Sequence, residues 1–105
     1  MKTSELSGAA LDWAVAQCEY LPVRDGFDDN CPEYSTNWAQ GGPIIERENI
    51  SIEPGEEESW FAFTEVDTDI HFFYSGPTPL IAAMRCYVAM KLGDGVNIPA
   101  ELTDE

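Results

Sequence analysis

The spacing of apolar residues predicts a helix near the start of the chain. Its apolar positions recur at intervals of three and four residues: Leu11, Ala14, Val15 and Cys18. We expect this helix to run from about Ser7 to Glu19, with Ser7 as its N-cap. Leu6 and Leu11 then occupy the two positions of a hydrophobic staple, which fixes the direction of the incoming chain.

A second helix is predicted near the end of the chain, at about residues 79–92. Thr78 is a favourable N-cap, Pro79 suits the first helical position, and Gly93 follows the last turn, which contains Lys91. Five residues give this helix a wide apolar face: Leu80, Met84, Tyr87, Val88 and Leu92.

Between the two helices the pattern changes to a period of two, which is typical of strands. Ile50 and Ile52 alternate with polar residues, and Pro54-Gly55 has the composition of a type II turn. Two further strands are predicted, at Trp60–Thr64 and Ile70–Tyr74, with a turn near Asp67–Asp69 between them.

One more strand is predicted at Ile44 and Ile45, entered through a glycine-rich turn at Gly41-Gly42-Pro43. The sequence therefore predicts a single acidic α+β domain over residues 1–105. Its small antiparallel β-meander, of three to four strands, packs against an N-terminal and a C-terminal helix. A loop is expected at about residues 20–37, and a frayed acidic tail at about 94–105.

The net charge of the chain excludes some classes of binding partner. The chain has 20 acidic and 5 basic residues, and its net charge is −15. We expect no direct nucleic-acid contact and no binding to anionic membranes, because five cations cannot neutralise the phosphates of either partner. No signal sequence is evident and the three cysteines have no metal-site spacing, which favours the cytoplasm, with reduced thiols.

The negative charge is concentrated in two segments of the middle of the chain. We interpret these segments as a candidate partner-binding surface that imitates nucleic acid and attracts a basic protein. Phe27 and Trp60 are its candidate apolar anchors. Its candidate charged residues are Asp25, Asp28, Asp29, Glu53, Glu56, Glu57 and Glu58.

Two other sites are weaker alternatives. The first is a pocket for a nucleotide, between the subunits of a homodimer, which could be lined by Gly41, Gly42, Arg47 and Arg85. Arg85 is expected on the side of the last helix opposite its apolar face. Alternatively, the acidic face of one strand could form a hydrolytic or metal site with Asp67, Asp69 and His71. We expect neither a metal nor a cofactor, because a solvated strand face explains that pattern more simply.

Three blocks of sequence resemble the NinX-like family of small accessory proteins from tailed bacteriophages and prophages. They are SELSGAALDWAVAQCE at residues 4–19, WAQGGPIIERE at 38–48, and GPTPLIAAMRCYVAMKLG at 76–93. The resemblance implies a phage product made in the cytoplasm of a bacterial host. It implies no catalytic residues, since none is established for the family.

Small phage proteins of this kind often block host machinery, including restriction and CRISPR systems. The resemblance and the charge together lead us to expect a non-enzymatic protein that inhibits a host protein through its acidic surface. The alternative is a sponge that sequesters a nucleotide signal of a bacterial defence system.

Overall fold

Three helices and three strands make up the fold in the computed structural model, which describes residues 2–19, 33–66 and 69–98. A short 3-10 turn at Thr3–Glu5 precedes the first helix. The elements that follow are α1 (Gly8–Cys18), α2 (Trp38–Glu48), β1 (Ser51–Pro54), β2 (Trp60–Val66), β3 (Asp69–Gly76) and α3 (Pro79–Leu92). The predicted α+β class is confirmed. Most of the predicted loop and of the predicted acidic tail lies outside the described residues.

The strands form an antiparallel sheet in the order β1-β2-β3, which is the predicted meander. Helix α3 contacts all three strands on one face of the sheet, and α1 and α2 pack against α3. The main core lies between these layers and includes Leu11, Val15, Ala62, Met84 and Val88, each of which is fully buried. The two predicted helices therefore bury most of the apolar faces that their periodicity indicated, but Leu92 at the end of α3 is exposed.

Both predicted helix starts are recognisable. The Thr78 side chain accepts a hydrogen bond from the Ile81 N–H and caps α3. Ser7 occupies the N-cap position of α1 with extended backbone, but its side chain makes no capping bond. Leu6 and Leu11 are both fully buried, as expected for the two positions of a staple.

The prediction of a glycine turn and a fourth strand at residues 41–45 is wrong, because these residues lie inside α2. Asn37 caps this helix by accepting a hydrogen bond from the Ala39 N–H. A β-carbon added to Gly41 would lie 2.5 Å from the Tyr34 carbonyl oxygen and 2.7 Å from Leu80 Cδ1. Gly41 therefore permits a close approach of α2 to its neighbours, and this packing offsets the poor helix propensity of the Gly-Gly-Pro segment.

The β1–β2 hairpin is confirmed, but its turn lies further along the chain than predicted. Pro54 pairs with Trp60 in the sheet, so Pro54-Gly55 does not form the type II turn. The reversal uses Glu56–Ser59 instead, where the Ser59 N–H donates to the Glu56 carbonyl oxygen.

The central residues of this turn have strained backbones. Glu57 has φ 53° and Glu58 has φ 63°, the left-handed region that a type I′ turn requires at both positions. Asn and Gly usually occupy these positions, because other residues lose about 1–2 kcal/mol each in this conformation. The hairpin therefore presents two adjacent carboxylates at an energetic cost.

Strand β3 contains a bulge opposite Phe63. Ala62 pairs with Tyr74 but Thr64 pairs with His71, so β3 has one more residue than β2 in this interval. Phe72, within the bulge, has φ 53°, which is unusual for a bulky side chain.

The bulge reverses which face of the sheet the later residues of β3 occupy. Ile70 pairs with Glu65 and lies on the face away from α3, whereas Tyr74 packs against the main core. An uninterrupted strand would place Ile70 and Tyr74 on one face, but the extra residue shifts the period-two pattern by one. The Cys86 thiol donates to the Phe72 carbonyl oxygen over 3.0 Å, which ties the bulge to α3.

Replacing the two strained residues should stabilise the protein. We expect Glu57→Asn/Glu58→Gly to raise the free energy of unfolding by about 1–2 kcal/mol, because both new residues tolerate the left-handed conformation. Urea unfolding measures the change. The control is Glu57→Gln/Glu58→Gln, which removes the same two charges but keeps the strain and should gain less than half as much. Equal gains in the two variants would show that charge repulsion, and not backbone strain, is relieved.

Candidate protein-binding surface

The carboxylates of the β1–β2 hairpin form the acidic part of the candidate surface. Glu53 lies on β1, and the tip of the hairpin consists of Glu56, Glu57 and Glu58. All four side chains are exposed. The other predicted acidic residues, Asp25, Asp28 and Asp29, and the predicted anchor Phe27 lie outside the described residues. The structure therefore places the hairpin half of the predicted surface and leaves the other half untested.

Trp60 lies away from the hairpin carboxylates. It pairs with Gly76 on β3 and is partly buried against the main core, on the α3 side of the sheet. Glu53 pairs with Phe61 and lies on the opposite face. Trp60 and Glu53 therefore point to different sides of the sheet.

One carboxylate that the sequence analysis did not select extends the acidic surface to the other end of the sheet. Glu65, near the end of β2, is exposed and pairs with Ile70 on the face away from α3. Asp69 is also exposed, but it pairs with Val66 and belongs to the other face. The position of Glu65 became informative only once the sheet register was known.

The described cations lie mainly on the helical layer, away from the hairpin. Within the described ranges, both ion pairs involve Arg47, whose partners are Glu19 at 2.6 Å and Glu48 at 2.9 Å. No hairpin carboxylate has a cationic partner in this part of the chain. Within the described ranges, no ion pair therefore offsets the negative charge of the hairpin.

Arg47 belongs to a cluster that joins all three helices. Its guanidinium donates two hydrogen bonds to the Glu19 carboxylate and one to the Tyr87 hydroxyl at 3.0 Å. The Tyr87 hydroxyl in turn donates to Glu19. The pKa of Glu19 lies below its ordinary value, mainly because of the hydrogen bonds from Arg47, while partial burial acts in the opposite direction.

Arg85 is engaged in holding the fold together. Its Nε donates to the Leu6 carbonyl oxygen at 2.7 Å, and one terminal nitrogen donates to the Ser75 carbonyl oxygen at 2.8 Å. The side chain is half-buried, and this burial lowers its pKa. The expectation that Arg85 faces away from packed structure is therefore wrong, because its guanidinium joins the N-terminal segment and β3 to α3.

The four residues of the predicted nucleotide pocket contact different neighbours. A cavity of about 230 Å³ beside Arg47 is lined by Cys18, Glu19, Glu48, Tyr87 and Lys91, and by neither glycine nor Arg85. Gly41 faces Tyr34 and Leu80, and Gly42 faces Trp38. Both guanidinium groups already donate to atoms of the protein, which leaves fewer donors for an anionic ligand.

The predicted strand site is only partly described. Asp69 and His71 pair with Val66 and Thr64, so they share one face of β3, and both are exposed. Asp67 lies outside the described residues. Across residues 2–19, 33–66 and 69–98, no three histidine, cysteine, aspartate or glutamate side chains are grouped as metal ligands would be.

The described cysteines are buried. Burial raises the pKa of the Cys18 and Cys86 thiols to about 12, so both stay protonated at neutral pH and are poor nucleophiles. No helix in the described part of the chain has the length and apolar character needed to cross a membrane.

Comparison of the sequence with known protein families identifies the family of this chain. The family described as "Bacteriophage P22, NinX" matches residues 2–91, which is most of the chain. The chain belongs to the NinX family. The NinX match extends from the N-terminal segment to the last turn of α3, so it includes the hairpin as well as the helical layer. No curated protein matches the chain.

The Glu19–Arg47 interaction should make stability depend on pH. We expect Glu19→Gln to lower the free energy of unfolding by about 1 kcal/mol at pH 7, a modest loss because Arg47 is half exposed and water screens the pair. The folded-state pKa of Glu19 is below the ordinary 4.5, so its contribution is fully present above that value and is lost as the pH falls through the folded pKa.

Urea unfolding at several pH values between about 3 and 7 tests this expectation. The difference between the variant and the unmodified protein should shrink as the pH falls. Glu46→Gln, which removes an exposed carboxylate from the same helix as Arg47, is the control. A loss that stays constant across the range would contradict the role of the ionised carboxylate.

Removing the Arg85 guanidinium should destabilise the fold more strongly. We expect Arg85→Met to lower the free energy of unfolding by about 2–3 kcal/mol, because the Leu6 and Ser75 carbonyl groups lose a charged donor. Lys91→Met, which removes an exposed cation from the same helix, should cost less than about 1 kcal/mol. Urea unfolding of both variants measures the difference, and equal losses would rule out the bridging role of Arg85.

Proposed function

We propose that this protein is a non-enzymatic bacteriophage accessory protein that binds and inhibits a host defence protein. The target is a component of a CRISPR or restriction system, and the contact is made through an acidic surface that imitates nucleic acid. The protein acts in the cytoplasm of the bacterial host. Membership in the NinX family supports the phage origin.

The arrangement of the hairpin charges is the observation that carries the proposal. Four exposed carboxylates lie close together in sequence on one hairpin and have no cationic partner in the described ranges. On a protein surface in water, a cluster of carboxylates creates a negative potential that steers the basic groove of another protein toward it. Proteins that bind DNA or RNA carry such grooves, because they must neutralise phosphates.

Strain at the hairpin tip is a second support. Glu57 and Glu58 occupy left-handed positions that Asn and Gly fill at lower energy. Residues held in unfavourable conformations are concentrated at functional sites, where a requirement other than stability selects the side chain. The requirement we infer is negative charge at the tip.

The alternative function, sequestration of a nucleotide signal, has less support. Arg47 and Arg85 donate to protein acceptors, and the strong negative charge opposes an anionic ligand. Native mass spectrometry of the protein purified from infected cells distinguishes the two proposals. A retained nucleotide would favour the sponge, and a mass equal to that of the chain would favour the inhibitor.

Neutralising the hairpin tip should abolish partner capture. The variant is Glu56→Gln/Glu57→Gln/Glu58→Gln, and the matched control is Glu5→Gln/Glu33→Gln/Glu46→Gln, which removes three exposed carboxylates outside the hairpin. Each immobilised protein is incubated with bacterial lysate at ~0.1 M salt, and bound proteins are identified by mass spectrometry.

We expect the unmodified protein and the control to retain nucleic-acid-binding proteins, and the hairpin variant to retain at least about tenfold less. Competing double-stranded DNA, or salt raised to ~0.5 M, should release them. If neither treatment changes the captured set, the imitation of nucleic acid is wrong.

A further inference from the structure

A cluster of aromatic side chains lies on the outer face of the sheet, away from α3. Phe73 packs against Phe61 with ring centroids 5.0 Å apart, and against Phe63 at 5.8 Å with nearly parallel rings. None of these rings belongs to the main core, which lies on the other side of the sheet. The outer face therefore has an apolar centre of its own.

This apolar centre is open to solvent in part, because Phe63 is buried and Phe61 is half-buried. Phe73 is 53% exposed, and Ile70, which lies on the same face, is 55% exposed. Among the described residues no helix covers them. Isolated exposed apolar residues are ordinary on a protein surface, but a contiguous group rimmed by polar residues is typical of an interaction site.

The bulge in β3 creates this group. One extra residue turns Phe73 to the same face as Phe61 and Phe63, and it requires a left-handed backbone at Phe72. The Cys86 thiol holds the Phe72 carbonyl in place. The protein therefore maintains an exposed aromatic face by means of a strained backbone and a buried hydrogen bond.

Two carboxylates flank the apolar centre on this face. Glu53 lies opposite Phe61 across the β1–β2 ladder, and Glu65 lies opposite Ile70 across the β2–β3 ladder. Directly opposed residues in a sheet have neighbouring side chains on one face. The charged hairpin and the aromatic cluster therefore belong to one continuous surface, with an acidic rim.

We propose that this outer face, centred on Phe61, Phe63, Ile70 and Phe73, docks a basic protein whose contact surface combines apolar side chains with lysines or arginines around them. The inference rests on the proposed function for the sign of the partner's charge. A second copy of this chain would place carboxylates against carboxylates, and a nucleic acid would bring further negative charge. The apolar anchor is Phe73 and its neighbours, in place of Trp60, which packs on the core side.

Two synthetic peptides of equal length and equal positive charge test the inference. One has leucines between its lysines, and the other has serines in their place. We expect the leucine peptide to bind at least about tenfold more tightly by isothermal titration calorimetry, because only its side chains fill the aromatic face. Amide chemical shifts should change along β2 and β3 as well as at the hairpin tip.

Variants separate this inference from the proposed function. Ile70→Ser and Phe73→Ser should each remove most of the tenfold preference, whereas Leu92→Ser, at a residue of α3 that is 43% exposed, should preserve it. Ile70→Ser provides the test if Phe73→Ser fails to fold. The triple hairpin variant should weaken both peptides.

The results that would overturn this inference differ from those that would overturn the proposed function. Equal binding of both peptides, weakened only by the hairpin variant, overturns the aromatic docking face and leaves the acidic function standing. Binding of neither peptide overturns both proposals. A dimer in sedimentation velocity that Phe73→Ser dissociates would show that a second copy occupies the face, and would also overturn this inference.

Discussion

Burial of helix α3 on nearly all sides is the constraint on which the rest of the structure depends. This helix contacts every strand on one side, and α1 and α2 on the other. Its fully buried residues include Ala82, Ala83, Met84, Cys86 and Val88. The small side chains among them allow close packing: a β-carbon added to Gly76 on β3 would lie 2.8 Å from the Ala82 nitrogen. A helix buried in this way can carry few polar residues, and each must find a partner.

The two charged side chains of α3 show how this constraint distributes charge. Arg85 satisfies carbonyl groups of the N-terminal segment and β3, and Lys91 lies 5.9 Å from the Tyr87 ring centroid. With Arg47 bound to Glu19, both arginines of the described residues hold parts of the fold together. The carboxylates of the hairpin and outer sheet face are left without cationic partners in the described ranges. The packing thus decides which of the described carboxylates have a cationic partner.

Sequence reasoning succeeded where local and tertiary preferences agree. The starts and ends of α1 and α3 follow from periodicity and capping, and the meander follows from alternation. It failed at α2, where the Gly-Gly-Pro composition outweighed the Asn37 cap and the apolar spacing of Ile44 and Ile45. It also failed at the hairpin tip, where Pro54-Gly55 indicated a turn that two strained glutamates form instead. At α2 the packing of Gly41 overrides the local preference of the chain, and at the hairpin the pairing of Pro54 with Trp60 moves the turn to residues 56–59.

The sequence by itself determined the fold class, the family resemblance, the ends of two helices and the negative charge of the hairpin, because each depends on residue type and short spacing. Only the tertiary structure decided which of the described carboxylates form ion pairs and which aromatic residues face solvent. The bulge at Phe72 changes the face of every residue beyond it, and no short-range pattern contains that shift. The candidate surface is therefore visible in the sequence as charge, but its apolar centre exists only because strand register brings Phe61, Phe63 and Phe73 together.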